Sequence, residues 1–144
     1  MRKRIHRVCL GIGWMTTMAM PGAAAQEHQH PAGRPAASAD TPAGAQTPLY
    51  DNLGTLHMAI TTRSPVAQRY FDQGLRLTYG FNHAEAINSF TEGTRQDSTC
   101  AMCWWGIAYA LGPNINVPMD TAAVRPAWTA LQRALHYSAR VTPR

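Results

Sequence analysis

The chain has 144 residues, with 13 Lys and Arg against 8 Asp and Glu and a formal net charge of +5. Four of the basic residues and none of the acidic residues lie in the first 25 positions. The rest of the chain therefore contains nine basic and eight acidic residues. Those nine arginines are dispersed along the sequence. A nucleic-acid partner is therefore excluded, because its binding surface would need clustered positive charge.

Residues 1–25 have the three parts of a secretory signal peptide. Arg2, Lys3 and Arg4 give a basic start, the middle is apolar, and an A-x-A cleavage motif ends at Ala25. The apolar middle is too short and too interrupted for a comfortable membrane span. We therefore expect a periplasmic or secreted protein without stable membrane insertion after cleavage. A retained amino-terminal anchor is the alternative.

Residues 26–48 are rich in Ala, Pro, Gly and polar residues and contain no large apolar side chain. This composition predicts a disordered linker. Cleavage after Ala25 would make His28 the third residue of the mature chain. There an amino terminus, two backbone nitrogens and the imidazole suit Cu(II) or Ni(II). His28 and His30 are thus candidate metal ligands, although an incidental pair of histidines in a polar linker is the favoured interpretation.

Residues 49–64 are predicted to form an extended arm that packs against the helices following it. His57 lies in this arm between apolar neighbours, which is more typical of a packed or hydrogen-bonded side chain than of a ligand. Ser64 followed by Pro65 predicts the start of a helix. Asn82, after a break in the apolar periodicity, predicts the start of a second helix.

Residues 67–100 carry a pattern of 34 positions. Its positions 4, 8, 11, 20, 24 and 27 hold Tyr70, Gly74, Leu77, Ala86, Phe90 and Gly93. This alternation of small and bulky residues resembles the tetratricopeptide repeat, although Gln73 and Ser98 depart from the family pattern. The resemblance implies an all-α fold of antiparallel helical hairpins stacked as an α-solenoid. An ordinary antiparallel helix pair is the alternative.

Residues 101–141 resemble a second repeat with a lengthened inner loop. The first helix matches at an offset of 34 positions and the second helix at 41, so an insertion of seven residues falls near residues 112–120. The predicted helical region, 65–144, thus holds about two repeats, whereas roughly three usually make a stable solenoid. The sequence therefore predicts a truncated array. It also resembles the amino-terminal part of larger exported bacterial tetratricopeptide-repeat proteins of unassigned activity.

Cys100 and Cys103 form a CxxC pair at the boundary between the repeats. No histidine follows the second cysteine, so covalent c-type haem attachment is excluded. Three interpretations remain: a local disulfide, free thiols or packed small residues, and a metal or redox site that His57 and His83 help to complete. Only the third interpretation requires a cofactor, and copper or zinc would supply it.

The resemblance implies a groove for a protein or peptide partner along the first helix of each repeat. Its lining positions hold Gln68, Phe71, Leu75 and Thr78 in the first repeat and Met102, Trp105 and Tyr109 in the second. Coverage of these residues by the arm is the alternative. No nucleophile with a base and no phosphate-binding loop is recognisable. We therefore expect a non-catalytic interaction scaffold without a cofactor, and a periplasmic metal-binding or thiol redox protein is the competing function.

Overall fold

The computed structural model describes residues 38–142, which form four α-helices and no β-strand within that range. The helices are α1 at Pro65–Tyr79, α2 at His83–Gln96, α3 at Ala101–Leu111 and α4 at Val124–Ser138, with a 3-10 turn at Thr121–Ala123 before α4. The prediction of an all-α fold is confirmed for these residues. The predicted signal peptide, the first part of the predicted linker, His28 and His30 lie outside the described residues.

Side-chain caps fix the starts of α1 and α2. Ser64 Oγ accepts a hydrogen bond from Ala67 N at 3.1 Å, and Pro65 takes the first helical position, where no N–H partner is needed. Asn82 Oδ1 accepts a hydrogen bond from Glu85 N at 3.3 Å. Both helices therefore begin where the sequence predicts.

The connection between α1 and α2 contains a residue in an unfavourable backbone conformation. Phe81 has a φ of 60°, a left-handed conformation that costs free energy for any residue with a Cβ. Phe81 N donates to Thr78 O at 3.0 Å, and Asn82 N donates to Leu77 O at 2.9 Å. These bonds satisfy the last carbonyls of α1 and hold the turn in place.

α1 and α2 run antiparallel and approach closely at small residues. Gly93, near the end of α2, faces Ala67 near the start of α1, and a Cβ on Gly93 would lie 3.6 Å from Ala67 O. The fully buried ring of Phe90 packs against Phe71 with 5.7 Å between centroids. Gly74 leaves room for that ring, since a Cβ there would lie 2.6 Å from it.

A disulfide between Cys100 and Cys103 lies in the core where α2 meets α3. Both cysteines are fully buried. Cys100 Sγ also accepts a hydrogen bond from Cys103 N at 3.1 Å and so caps α3. A Cβ on Gly93 would lie 3.0 Å from Cys103 Sγ, so the bridge contacts α2 directly. Of the three interpretations from sequence, the structure contains the disulfide.

α4 packs on α3 after a segment without helix at 112–120, which corresponds to the predicted insertion. Asp120 Oδ1 accepts a hydrogen bond from Ala122 N at 2.9 Å and caps the 3-10 turn before α4. The buried residues of α4 are all alanines, Ala127, Ala130 and Ala134. Their small side chains allow close approach to α3. Between residues 38 and 142 no helix is long and apolar enough to cross a bilayer.

Candidate functional site

The arm, residues 49–64, lies along α1, and polar side chains of that helix bind its backbone. Gln68 Oε1 accepts a hydrogen bond from Ile60 N at 2.9 Å, while Gln68 Nε2 donates to Met58 O at 3.0 Å. Asp72 Oδ1 accepts from Met58 N at 3.1 Å. Gln68, a predicted groove residue, is therefore engaged by the chain's own arm.

Asp72 and Arg76 continue the same face of α1, because residues four apart are neighbours on a helix. His57 Nδ1 lies 2.7 Å from Asp72 Oδ2. Arg76 Nε donates to Leu56 O at 2.8 Å. We refer to Gln68, Asp72 and Arg76 as the polar stripe. His57 is hydrogen-bonded to this stripe, in agreement with its favoured interpretation from sequence.

The end of the predicted linker also contacts α1. Gln73 Oε1 accepts a hydrogen bond from Tyr50 N at 2.7 Å, and Gln73 Nε2 donates to Pro48 O at 2.9 Å. Tyr70 donates its hydroxyl hydrogen to Thr47 O at 2.7 Å. Although composition predicts disorder as far as Pro48, these side chains order the end of the segment. Gln73, a departure from the repeat pattern, thus binds both the end of this segment and the start of the arm.

The hydroxyl of Tyr70 is held neutral by its surroundings. The pKa of Tyr70 is raised to about 12, mainly by burial and also by the negative charge of Glu92, while the positive charge of Arg69 opposes the change. The neutral hydroxyl keeps its hydrogen for the bond to Thr47 O. This contact between α1 and the preceding segment is therefore stable throughout the neutral pH range.

The other predicted groove residues of the first repeat belong to the core. Phe71, Leu75 and Thr78 are 0%, 3% and 5% exposed. The arm residues Met58 and Ile60 pack against the cluster that contains Phe71 and Leu75. These three side chains are therefore unavailable to a partner in this conformation, because the arm and the helix packing cover them.

The predicted groove residues on α3 are accessible to solvent. Met102 and Trp105 are half-buried, whereas Tyr109 is exposed. The rings of Trp105 and Tyr109 are stacked, with 5.0 Å between centroids and 9° between ring planes. Each ring restricts the other, so the pair presents a rigid aromatic edge along α3.

An apolar groove lies between α3 and α4 beside this edge. It has a volume of about 400 Å³, and its walls include Met102, Trp105, Leu131, Leu135 and Val141. We call it the α3–α4 groove. A second cavity of about 790 Å³ runs along the arm and shares Met102, Val141 and Thr142 with the groove. The arm and the α3–α4 groove therefore border one continuous open region.

Three of the walls named above, Leu131, Leu135 and Val141, are absent from the groove residues predicted from the sequence. The repeat pattern places Leu131 at the position of Phe90 and so predicts an interior residue. In the structure Leu131 lines the groove and Leu135 is 57% exposed. The spacing of four between these leucines was the available signal, because it places both on one face of α4.

The candidate metal ligands do not come together in the described part of the chain. Among residues 38–142, no three His, Cys, Asp or Glu side chains are arranged to hold a metal ion. His83 lies beside the ring of Phe81, with 6.1 Å between centroids. Cys100 and Cys103 are bonded to each other and so present no thiolate.

Comparison with protein-family models, curated proteins and solved structures finds no match for the chain. Function must therefore be argued from the geometry of the molecule. The most informative feature is the α3–α4 groove with its stacked aromatic pair.

Proposed function

We propose that the chain is an exported, non-catalytic interaction scaffold of tetratricopeptide-repeat type, which binds a peptide segment of a protein partner in the α3–α4 groove. The stacked pair of Trp105 and Tyr109 beside an apolar cavity carries this proposal. Aromatic residues next to a pocket commonly supply most of the binding free energy at protein interfaces. Their rigidity also lowers the entropy lost on binding.

The size of the groove fits a small number of side chains. A volume of about 400 Å³ lies within the range of sites that hold a compact apolar group. Leu135 and Trp105 supply apolar walls on opposite helices. We expect the ligand to place one or two bulky apolar side chains there, with the rest of the segment crossing the open region beside the arm.

The exported location is part of the proposal and draws its support from the sequence of residues 1–25. The bridge between Cys100 and Cys103 suits an oxidising compartment, where disulfides persist. A cytosolic protein of this size would normally keep such a pair reduced.

The test uses the mature chain as bait for a phage-displayed library of random peptides. A selected peptide is then synthesised, and its Kd is measured by titration against the wild type and Trp105→Ala. We expect Trp105→Ala to lose about 2 kcal/mol of binding free energy, roughly thirtyfold in Kd. Circular dichroism should show unchanged helix content, because Trp105 is only half-buried.

Trp128→Ala is the matched control. Trp128 lies on α4, is 62% exposed and does not line the α3–α4 groove. Its replacement should leave the Kd unchanged. Equal losses for both variants, or selected peptides that bind Trp105→Ala as well as the wild type, would show that the groove is not the binding site.

A further inference from the structure

A polar pocket of about 360 Å³ lies where the end of the arm, the α2–α3 connection and the end of α4 meet. The side chains that matter for its chemistry are Thr62, Arg63, Asp97, Thr99, Tyr137 and Arg140. We call it the arginine pocket. Unlike the α3–α4 groove, it combines two cations with one carboxylate.

The carboxylate of Asp97 is already fully engaged by neighbouring donors. Thr62 Oγ1 donates to Asp97 Oδ2 at 2.6 Å. Thr99 donates to Asp97 Oδ1 from its backbone N at 2.9 Å and from its hydroxyl at 2.7 Å. Burial would raise the pKa of Asp97, but the hydrogen bonds from Thr62 and Thr99, together with one from the backbone of Arg63, outweigh it and lower the pKa. Asp97 is thus ionised, and its oxygens are occupied by Thr62 and Thr99.

The two arginines of the pocket are not neutralised by Asp97. Within residues 38–142, no carboxylate oxygen lies within 4.0 Å of the guanidinium of Arg63 or Arg140. Arg140 lies over the ring of Tyr137, 5.9 Å from its centroid. The pocket therefore has an excess of positive charge, with guanidinium donors that no described acceptor engages.

We propose that the arginine pocket binds an oxyanion, a carboxylate or phosphate group, with Arg63 and Arg140 as its charged donors. A guanidinium presents paired N–H donors that match the oxygens of such groups. Tyr137 also lines the pocket, and its side chain carries a hydroxyl group that can donate a hydrogen bond. This inference does not depend on a peptide in the α3–α4 groove, although the two cavities share Val141.

The test uses inorganic phosphate and acetate as separate probes, each titrated against the full mature chain at constant ionic strength. Amide NMR signals of Thr62, Arg63 and Thr99 should shift with saturation. A response to phosphate alone assigns the pocket to phosphate groups, and a response to acetate assigns it to carboxylates. Arg63→Gln and Arg140→Gln should each weaken binding roughly tenfold, the usual loss for one charge-assisted hydrogen bond.

Arg125→Gln is the matched control, because Arg125 is exposed on α4 and does not line the pocket. It makes the same change in net charge and should leave the titration unchanged. The proposal is overturned if neither probe shifts these amides in the wild type. It is also overturned if Arg125→Gln weakens binding as much as the pocket variants, since only overall charge would then matter. The wild-type titration decides the question even if a variant folds poorly.

Discussion

The ring of Phe90 lies against two glycines on two different helices, and this contact yields the sharpest stability prediction. A Cβ on Gly74 of α1 would lie 2.6 Å from Phe90 Cε1, and a Cβ on Gly106 of α3 would lie 2.5 Å from Phe90 Cδ1. The same edge of the ring therefore faces both helices. We predict that Gly106→Ala destabilises the fold even though alanine favours helix.

Two effects of opposite sign decide how much Gly106→Ala changes the free energy of unfolding. Replacing a helical glycine by alanine stabilises a helix by about 1 kcal/mol. The new methyl group would, however, lie about 1 Å inside the usual carbon–carbon contact distance. Phe90 is fully buried, and its ring already occupies the space beside Gly74 on α1, so it has little room to move away from α3. Overpacking usually costs about 1–3 kcal/mol, and an approach of 2.5 Å to a fully buried ring places the cost at about 2–3 kcal/mol. After the gain in helix propensity, we expect a net loss of about 1–2 kcal/mol.

Urea unfolding followed by circular dichroism measures this loss. Gly80→Ala is the control, because its Cβ would lie 3.4 Å from its nearest neighbour, Arg76 O, and its φ is −82°. That variant should stay within about 0.5 kcal/mol of the wild type. In a Phe90→Leu background the cost of Gly106→Ala should shrink, since the ring edge is gone. A Gly106→Ala protein as stable as the wild type would refute the described packing.

Three further predictions concern the residues around α1. Gln73→Leu removes the acceptor for Tyr50 N and should lower the free energy of unfolding by about 2 kcal/mol in urea titrations. Tyr70 loses its proton near pH 10 in the unfolded chain but near 12 in the folded one, so its contribution to stability should be fully present below pH 10 and be lost progressively above it. The fall should reach about 1.4 kcal/mol per pH unit and be absent from Tyr70→Phe. Phe81→Gly relieves the left-handed strain and should raise the free energy of unfolding by about 1 kcal/mol, which would appear as a higher melting temperature. An unchanged melting temperature would show that Phe81 is not strained.

The helix starts were predictable because their causes are local. Ser64 and Asn82 each accept a hydrogen bond from the backbone N–H group three residues later. Such a cap involves only neighbouring residues, so it can be recognised in the sequence. The spacing of Gly74 and Gly93 in the repeat pattern also predicted that they lie where the two helices approach each other. The role of Gly106 was not predictable, because it depends on Phe90 reaching across from another helix.

The order at the end of the linker was not predictable from its composition. Thr47 and Pro48 offer only backbone carbonyls to α1, and no large side chain marks them. Their partners, Tyr70 and Gln73, lie more than twenty residues away. The departure of Gln73 from the repeat pattern was the one signal. It is a buried amide, 2% exposed, and such a group needs hydrogen-bond partners.

The polar stripe of α1 explains why only part of the predicted groove is accessible, and what kind of ligand the rest can hold. On α1 this stripe binds the backbone of an extended segment, the arm. The offset of 34 positions carries Gln68, Asp72 and Arg76 to Met102, Gly106 and Ala110 on α3. None of these three has a polar side chain, so α3 cannot bind a peptide backbone as α1 does. In the proposed function, we therefore expect a ligand beside Trp105 to be held mainly through its own apolar side chains, so that side-chain identity contributes strongly to specificity there.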